Sequence, residues 1–563
     1  MTALALKTWL ACAAGLVLVW LFGRYGTGLW SIPALESWRE PSLLGLAAYL
    51  FGICLFVSHR AYGRRLTLGL HPAVVPVLIF VVCAVGSRIV LQGFLPSRDE
   101  QMAVFDAEIL RSGRLYAAIP PAWLPDLAAL NREFMLPSGT PRGWVSSYLP
   151  GNAAIRALFG ALGAEALASP ALAAVALAAL WSIARTLWPA DRQAALVACL
   201  VLAGSGQFVL SGMSAYAMTA HLALNLVWLR LLLVRRSWAD ALAVLVGWAA
   251  TGLHQPLFHP MFAAPLIAML ALRGEWRRAL WFALAYAGIA AFWYVWPQWL
   301  AAQIDAAPAQ TAAAGASYLV RLRGLVHFDL SSVVLQVYNA VTFVSWQHLL
   351  AVPLLVLGLR AARREPLMLA LAAGLVLPFV VLTVLLPDQG FGYGYRYVHG
   401  ALGNLALLAG LGWHRMEAQR RAAAEPLLAW TTAASLIVLL PFQMWSAYSS
   451  FRPFAAADRR VTASGADLFV VDTRWGGHME NLVFNRPDLD NRPLRLLAEQ
   501  IPDPAAFARR HCWAGTIAAF GSDHFYKDGF APYLPAEATG DQPRMTQLQS
   551  SLTAAGCTVR TID

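Results

Sequence analysis

The sequence predicts an α-helical polytopic membrane protein carrying a small C-terminal α/β domain. Three observations point there. Apolar residues make up 59% of the 563-residue chain and charged residues only 13%, where a soluble domain is nearer half and a quarter. Runs of about 20 mostly apolar residues, the length that crosses a bilayer, recur as far as residue 447. From 448 onward the composition turns to Asp, Arg, Pro and Asn, and short alternating runs replace the long apolar ones.

About thirteen spans are expected, near 8–23, 42–58, 71–94, 166–188, 193–211, 215–234, 238–256, 257–272, 279–297, 332–358, 367–386, 397–413 and 427–447. The first could pass for a signal peptide. Arg24 and Tyr25 follow it in place of a small-residue cleavage site, so it is expected to stay as a span.

The net charge of +11 is nearly all Arg, and it falls in short clusters between apolar runs. No basic run is long enough for nucleic acid, so the charge reports topology. The clusters are Arg60/Arg64/Arg65, Arg230/Arg235/Arg236, Arg273/Arg277/Arg278, Arg360/Arg363/Arg364 and Arg415/Arg420/Arg421. With thirteen spans and a cytoplasmic N-terminus, all five lie in the cytoplasm, as the positive-inside rule requires. The expected setting is a bacterial inner membrane with the C-terminal domain in the periplasm. The expected domains are 1–447, membrane-spanning, and 448–563, periplasmic α/β with strands near 466–471 and 515–520.

Two further outer stretches follow from this topology: a loop over 95–165, with interfacial helices at 99–112 and 152–163, and a segment over 298–331 containing Arg321 and Arg323. No internal repeat marks a secondary transporter. Cys12, Cys54, Cys83 and Cys199 sit in apolar runs, while Cys512 and Cys557 lie in the tail. The sequence leaves open whether the last two pair, which a periplasm would permit.

No phosphate-binding P-loop, dinucleotide fingerprint or nucleophile elbow is present. The chemistry-bearing residues lie elsewhere. Arg98-Asp99-Glu100 follows the third span. In a helix Asp99 and Asp106 share one face, beside an apolar stripe of Met102, Phe105 and Ile109 that could lie on the membrane surface. A carboxylate at that boundary can take a proton from an acceptor hydroxyl. The plainer reading of Ser97–Glu100 is a capping box.

Asp388–His399 concentrates Gly, Tyr395, Arg396, Tyr397 and His399 at the head of an outward-facing span. Arg binds phosphate in a bidentate manner, and glycines permit close backbone approach. An interfacial anchor is the other reading. His254, Gln255 and His259 lie at membrane depth, where polar groups line cavities or are satisfied at a kink. Two histidines do not make a metal site, so no metal ligand or cofactor is assigned and a divalent cation stays open. Arg88, inside the end of the third span, would face a lipid phosphate or a carboxylate, or snorkel to the interface. In the tail His478, Glu480, His511, Asp523 and His524 match no metal motif and read as solvated surface.

The run Ser97-Arg98-Asp99-Glu100, then Phe105 to Gly113 and Tyr116, resembles the first periplasmic loop of the GT-C glycosyltransferases, the aminoarabinose transferases and protein O-mannosyltransferases among them. There an Asp-Glu pair follows a span and opens an interfacial helix. An aromatic-Pro segment comes next, here Tyr148-Leu149-Pro150-Gly151, and then a second interfacial helix ending in Phe-Gly, here Phe159-Gly160. The similarity runs from about 88 to 235, and Arg396-Tyr397 is similar to the family's late Arg-Tyr segment. The chain departs in placing the acidic pair after the third span and in having Tyr-Leu-Pro-Gly and Val398-His399 where the family has Pro.

The resemblance implies a GT-C-like fold and an inverting glycosyltransferase. It would move a sugar from a polyprenyl-phosphate donor to a periplasmic envelope acceptor that is a lipid, a glycan or a protein. Asp99 would be the base and Glu100 its partner. Arg88, Arg396 and His399 would face the leaving phosphate, with Tyr395, Tyr397, His254, Gln255, His259, Asp106 and Tyr148 lining the substrate. The alternative function is a multi-spanning transporter or lipid flippase.

Overall fold

The computed structural model describes residues 34–60, 73–138, 141–305, 329–530 and 542–563, with a few positions nearer the N-terminus. Most of the predicted 8–23 span, the 61–72 loop with Arg64 and Arg65, and Arg321 and Arg323 lie outside the described residues. The chain divides into two compact units. One comprises Met1–Ser87, Ala166–Val295 and Ala316–Ser446, the other Arg88–Glu165, Trp296–Gly315 and Ala447–Asp563.

The protein is an integral membrane protein of mostly helical architecture. Among the described residues five helices are long and apolar enough to cross a membrane: Arg39–His59, Glu165–Leu187, Trp276–Ile304, Pro366–Leu385 and Ala418–Ala463. Arg192–Ala203 and Gly206–Met213 make a sixth if their 60° bend is read within one span. The bend falls at Gly204-Ser205, where the Ser205 hydroxyl caps the second helix.

The remaining apolar helices are shorter than a membrane crossing. Val74–Ile89, Met218–Leu232 and Phe258–Leu272 are among them. The segment expected as one span at 332–358 is two helices, Leu330–Ser345 and Ala351–Ala362. The break at 346–350 is stabilised by Ser435 and Thr432, which bond Leu349 N and the His348 ring. Helices Ala351–Ala362 and Leu402–His414 pack backbone to backbone, because a Cβ on Gly358 would fall 1.9 Å from the Leu408 carbonyl oxygen.

The second unit is built on the Arg98–Arg111 helix. Ser97 caps it reciprocally with Glu100, so the capping box reading holds: the Ser97 hydroxyl accepts from Glu100 N and donates to the Glu100 carboxylate. The expected membrane-facing stripe of Met102, Phe105 and Ile109 is overturned. These side chains are at most 1% exposed and join a core with Leu468, Leu496 and Phe520. The apolar surface is covered by protein instead of lipid.

Four parallel strands make the C-terminal sheet, in the order Leu494–Leu497, Leu468–Val471, Ile517–Gly521, Thr558–Ile562. Two of these strands overlap the expected ones. All the residues of Leu468–Val471 and Leu494–Leu497 are buried, which is why their sequences read as apolar runs without clean alternation. Cys512 and Cys557 form a disulfide. Asp126, wholly buried, accepts from Arg510 and lies 2.9 Å from the His511 ring, tying the Pro121–Leu130 segment to the end of the Pro504–His511 helix.

Candidate functional site

In the second unit the helix face predicted for Asp99 and Asp106 is directed at one segment, Ser146–Tyr148. The Tyr148 hydroxyl donates to Asp99 Oδ1. Two turns on, Asp106 accepts from Ser146 N at 3.0 Å and from the Ser146 hydroxyl at 2.5 Å. The two carboxylates differ in setting. Asp99 is half-buried at the helix start, whereas Asp106 is enclosed. Burial pushes the Asp106 carboxyl up to about 6 against the lowering effect of its bonds from Ser146. Asp106 thus fastens the 146–148 segment and is not presented to a ligand.

Glu100 is buried beneath Asp99 and held by its capping bond. Arg156, a buried residue of the Gly151–Ala161 helix, lies within electrostatic reach of Glu165 and Glu100. Arg98 is also buried, and burial pushes its guanidinium down to about 10. It donates to the backbone carbonyls of Asn131 and Glu133 and to the Gln101 side-chain oxygen. Gln101 donates to the Asn481 carbonyl at 2.7 Å. Asn131 and Phe134 hold positive φ of 59° and 58°, a strained conformation for a residue as bulky as Phe. The Phe134 ring lies 5.5 Å from that of Tyr148. Partial burial holds the neighbouring Glu133 carboxyl above the ordinary value; Arg98 pulls it down and Asp99 pushes it up. Arg88, in the last turn of its helix, is exposed.

In the first unit the Asp388–Tyr395 loop leads into a 3-10 turn, Arg396–Ala401. Arg396 is 8% exposed. Its guanidinium sits 5.1 Å from both the Tyr216 and Tyr397 rings and donates to the Gln389 carbonyl at 2.6 Å. The glycines explain this packing: a Cβ on Gly392 would fall 2.9 Å from Arg396 Cδ, and one on Gly394 2.4 Å from Gln207 Oε1. The close approach read from the sequence is to the protein's own side chains. Tyr395 is buried, its hydroxyl bonded to Gln336 and its carbonyl to Gln207. It supports the loop.

His259 is satisfied on both sides, by Asn225 at 2.7 Å and Tyr286 at 2.5 Å. His254 is buried and Gln255 half-buried in the bend between Ser237–Thr251 and Phe258–Leu272. His399 is wholly buried, its ring 6.5 Å from Phe208. A small cavity of about 20 Å³ is walled by Met218, His221, Asn225, Phe258, Arg396 and Tyr397 among others.

Sequence reading missed His221, Asn225 and Gln207, which the structure places around the Arg396 loop. It also missed Arg39 and Glu40, a buried pair in which Arg39 donates to the Gly392 carbonyl and Glu40 accepts from Trp346. The signal was present, since a polar residue inside an apolar run needs a partner or a cavity. Among the described residues no group of three or more His, Cys, Asp or Glu side chains could hold a metal ion.

No family model and no curated protein matches the sequence. Solved structures do. ArnT from Cupriavidus metallidurans, in the crystal structure bound to undecaprenyl phosphate, aligns at TM-score 0.50 and 12% identity over 82% of this chain and 89% of its own. Its apo state aligns at TM-score 0.47 and 14% identity, over 84% and 91%. The fold assignment rests on the first, which spans both units. ArnT is a GT-C glycosyltransferase, and the chain has a GT-C-like fold.

Proposed function

We propose that this protein is an inverting glycosyltransferase that takes its sugar from a polyprenyl-phosphate donor. The observation that carries the reading is Asp99: a half-buried carboxylate at the head of a helix, held by the Tyr148 hydroxyl, within a GT-C-like fold. The acceptor hydroxyl oxygen attacks the anomeric carbon, and its proton passes to Asp99. The bond from that carbon to the phosphate oxygen breaks with inversion, and the electron pair leaves with the lipid phosphate. No strong acid is needed, because the phosphate leaves as a stable anion. Its charge needs a cation to balance it. Glu100 orients the helix start that presents Asp99.

The setting belongs to the same proposal: the bacterial inner membrane, the N-terminus in the cytoplasm and the C-terminal domain in the periplasm. The Cys512–Cys557 disulfide supports an oxidising compartment for that domain. The acceptor is an envelope lipid, glycan or protein.

The test is transfer from a panel of labelled polyprenyl-phosphate sugars in membranes carrying wild type or Asp99→Asn. Donor consumption by wild type that disappears in the variant, at equal folded protein, is expected. Wild-type turnover in Asp99→Asn refutes the base. No consumption from any donor, with substrate flux across vesicles, would favour a transporter or flippase.

A further inference from the structure

The Trp276–Ile304 helix is 29 residues long and carries Arg277 and Arg278 in its first turn. A hydrocarbon core of about 30 Å takes up about 20 helical residues, which sets the far membrane boundary near Trp299. Trp296 and Trp299, with ring centroids 5.4 Å apart, mark that level, as Trp commonly does at a membrane–water interface. Here the end of the helix and the segment that follows the Arg98–Arg111 helix enclose a groove of about 360 Å³. Trp299, Leu300 and Gln303 line it from the helix, and Arg114, Leu115, Tyr116 and Ala118 from the segment. That volume lies in the range of sites that hold small ligands.

Two features narrow the occupant. The first is an apolar stripe. Phe292, Val295 and Trp299 are all exposed and recur at spacings of three and four, so they share one helix face, with Gln303 a turn further on. The groove therefore stands at the head of a row that runs back into the hydrocarbon. A soluble ligand leaves that row uncovered, whereas an amphiphile lays a chain along it. The second is charge. Among the described residues Arg114 is the one charged side chain in the wall. It brings a counter-charge with it, because its Nη1 and Nη2 donate to the Asp488 carboxylate at 2.8 and 2.6 Å. Each of those nitrogens carries a second hydrogen, and both side chains are more than a third exposed, so each ion can take a further partner. A cation and an anion side by side complement a zwitterion. A purely anionic head would gain from Arg114 and lose to Asp488. The Trp299 and Tyr116 rings add faces that favour an ammonium group.

We infer that this groove binds a bilayer phospholipid with a zwitterionic head. The phosphate sits on Arg114, the ammonium beside Asp488, and one chain along the Phe292, Val295 and Trp299 stripe. Such a lipid is a neighbour of the protein in the bilayer, independent of any sugar donor.

The test is native mass spectrometry of the full-length protein, purified in detergent and titrated with four probes. These are phosphatidylethanolamine, phosphatidylglycerol with the same chains, soluble phosphoethanolamine and maltotriose. Wild type is expected to hold phosphatidylethanolamine more tightly than phosphatidylglycerol. Arg114→Gln and Trp299→Ala should each weaken phosphatidylethanolamine by about fivefold, the scale of one exposed charged contact. Asp488→Asn removes the anion and should reverse the preference, so that phosphatidylglycerol binds more tightly. A surface that only packs against lipid chains would not respond in that way. Asp488→Asn decides the matter if Trp299→Ala does not fold. Equal retention of both lipids by wild type and all three variants overturns the assignment and leaves an aromatic belt. Soluble phosphoethanolamine binding as tightly as the lipid overturns the part played by the chain. Displacement of phosphatidylethanolamine by maltotriose overturns it in favour of a glycan site.

Discussion

The Tyr148 hydroxyl donates to the Asp99 carboxylate, joining the start of the Arg98–Arg111 helix to the segment that enters the Gly151–Ala161 helix. A base acts only if its lone pair meets the acceptor proton, and this bond helps to fix the orientation of the carboxylate. Tyr148→Phe should therefore lower kcat by about tenfold or more, with donor KM nearly unchanged. Unfolding followed by Trp fluorescence should shift little. A variant at wild-type kcat would show that Asp99 needs no such orientation.

Asp106 predicts an unusual pH dependence. Its carboxyl titrates near 6 in the folded protein and near 3.8 when unfolded. Between these values the unfolded chain has released a proton that the folded protein retains, so this residue's contribution to stability falls as pH rises. By pH 7 the ionised form costs about 3 kcal/mol. Asp106→Asn keeps an acceptor for Ser146 N and a donor for its hydroxyl without the charge. It should match wild type near pH 4 and exceed it at pH 7 in thermal unfolding. Asp106→Ala leaves Ser146 N–H unpaired and should cost about 1–3 kcal/mol near pH 4, where wild type is protonated, and less at pH 7, where wild type bears the ionisation cost. An Asn variant less stable than wild type at pH 7 would contradict the burial argument.

Two glycines in the Arg396 loop should respond differently to alanine. Gly390 and Gly394 both hold positive φ, 60° and 64°. A Cβ at 390 meets Arg396 Nη2 at an ordinary 3.7 Å, but one at 394 meets Gln207 Oε1 at 2.4 Å. Gly390→Ala should cost about 1–2 kcal/mol for the left-handed backbone alone. Gly394→Ala should cost more, because Gln207 must abandon the Tyr395 carbonyl. Equal melting temperatures for the two variants would rule out this difference.

The disulfide closes a separation of 45 residues in the C-terminal domain. Chain entropy alone assigns it about 4 kcal/mol. Cys512→Ser should lower the melting temperature of protein purified without reductant and have no effect on protein already reduced. Peptide mapping of the wild type without reductant should return Cys512 and Cys557 as one cross-linked species.

The sequence by itself determined the membrane class, because apolar runs of bilayer length have no other stable setting. It also gave the shared face of Asp99 and Asp106, since helical period alone puts residues seven apart on one side. The capping box at Ser97 was equally local. What only the tertiary structure decided is which groups are consumed by neighbours. Asp106 is taken by Ser146, His259 by Asn225 and Tyr286, and Arg98 by backbone carbonyls. Each partner lies at least 27 residues away, and no local rule links them. The same holds for the 346–350 break, whose polar support comes from Thr432 and Ser435. Hydrophobic period fixes which face of a helix is buried; contacts distant in sequence fix which polar group on it is left to act.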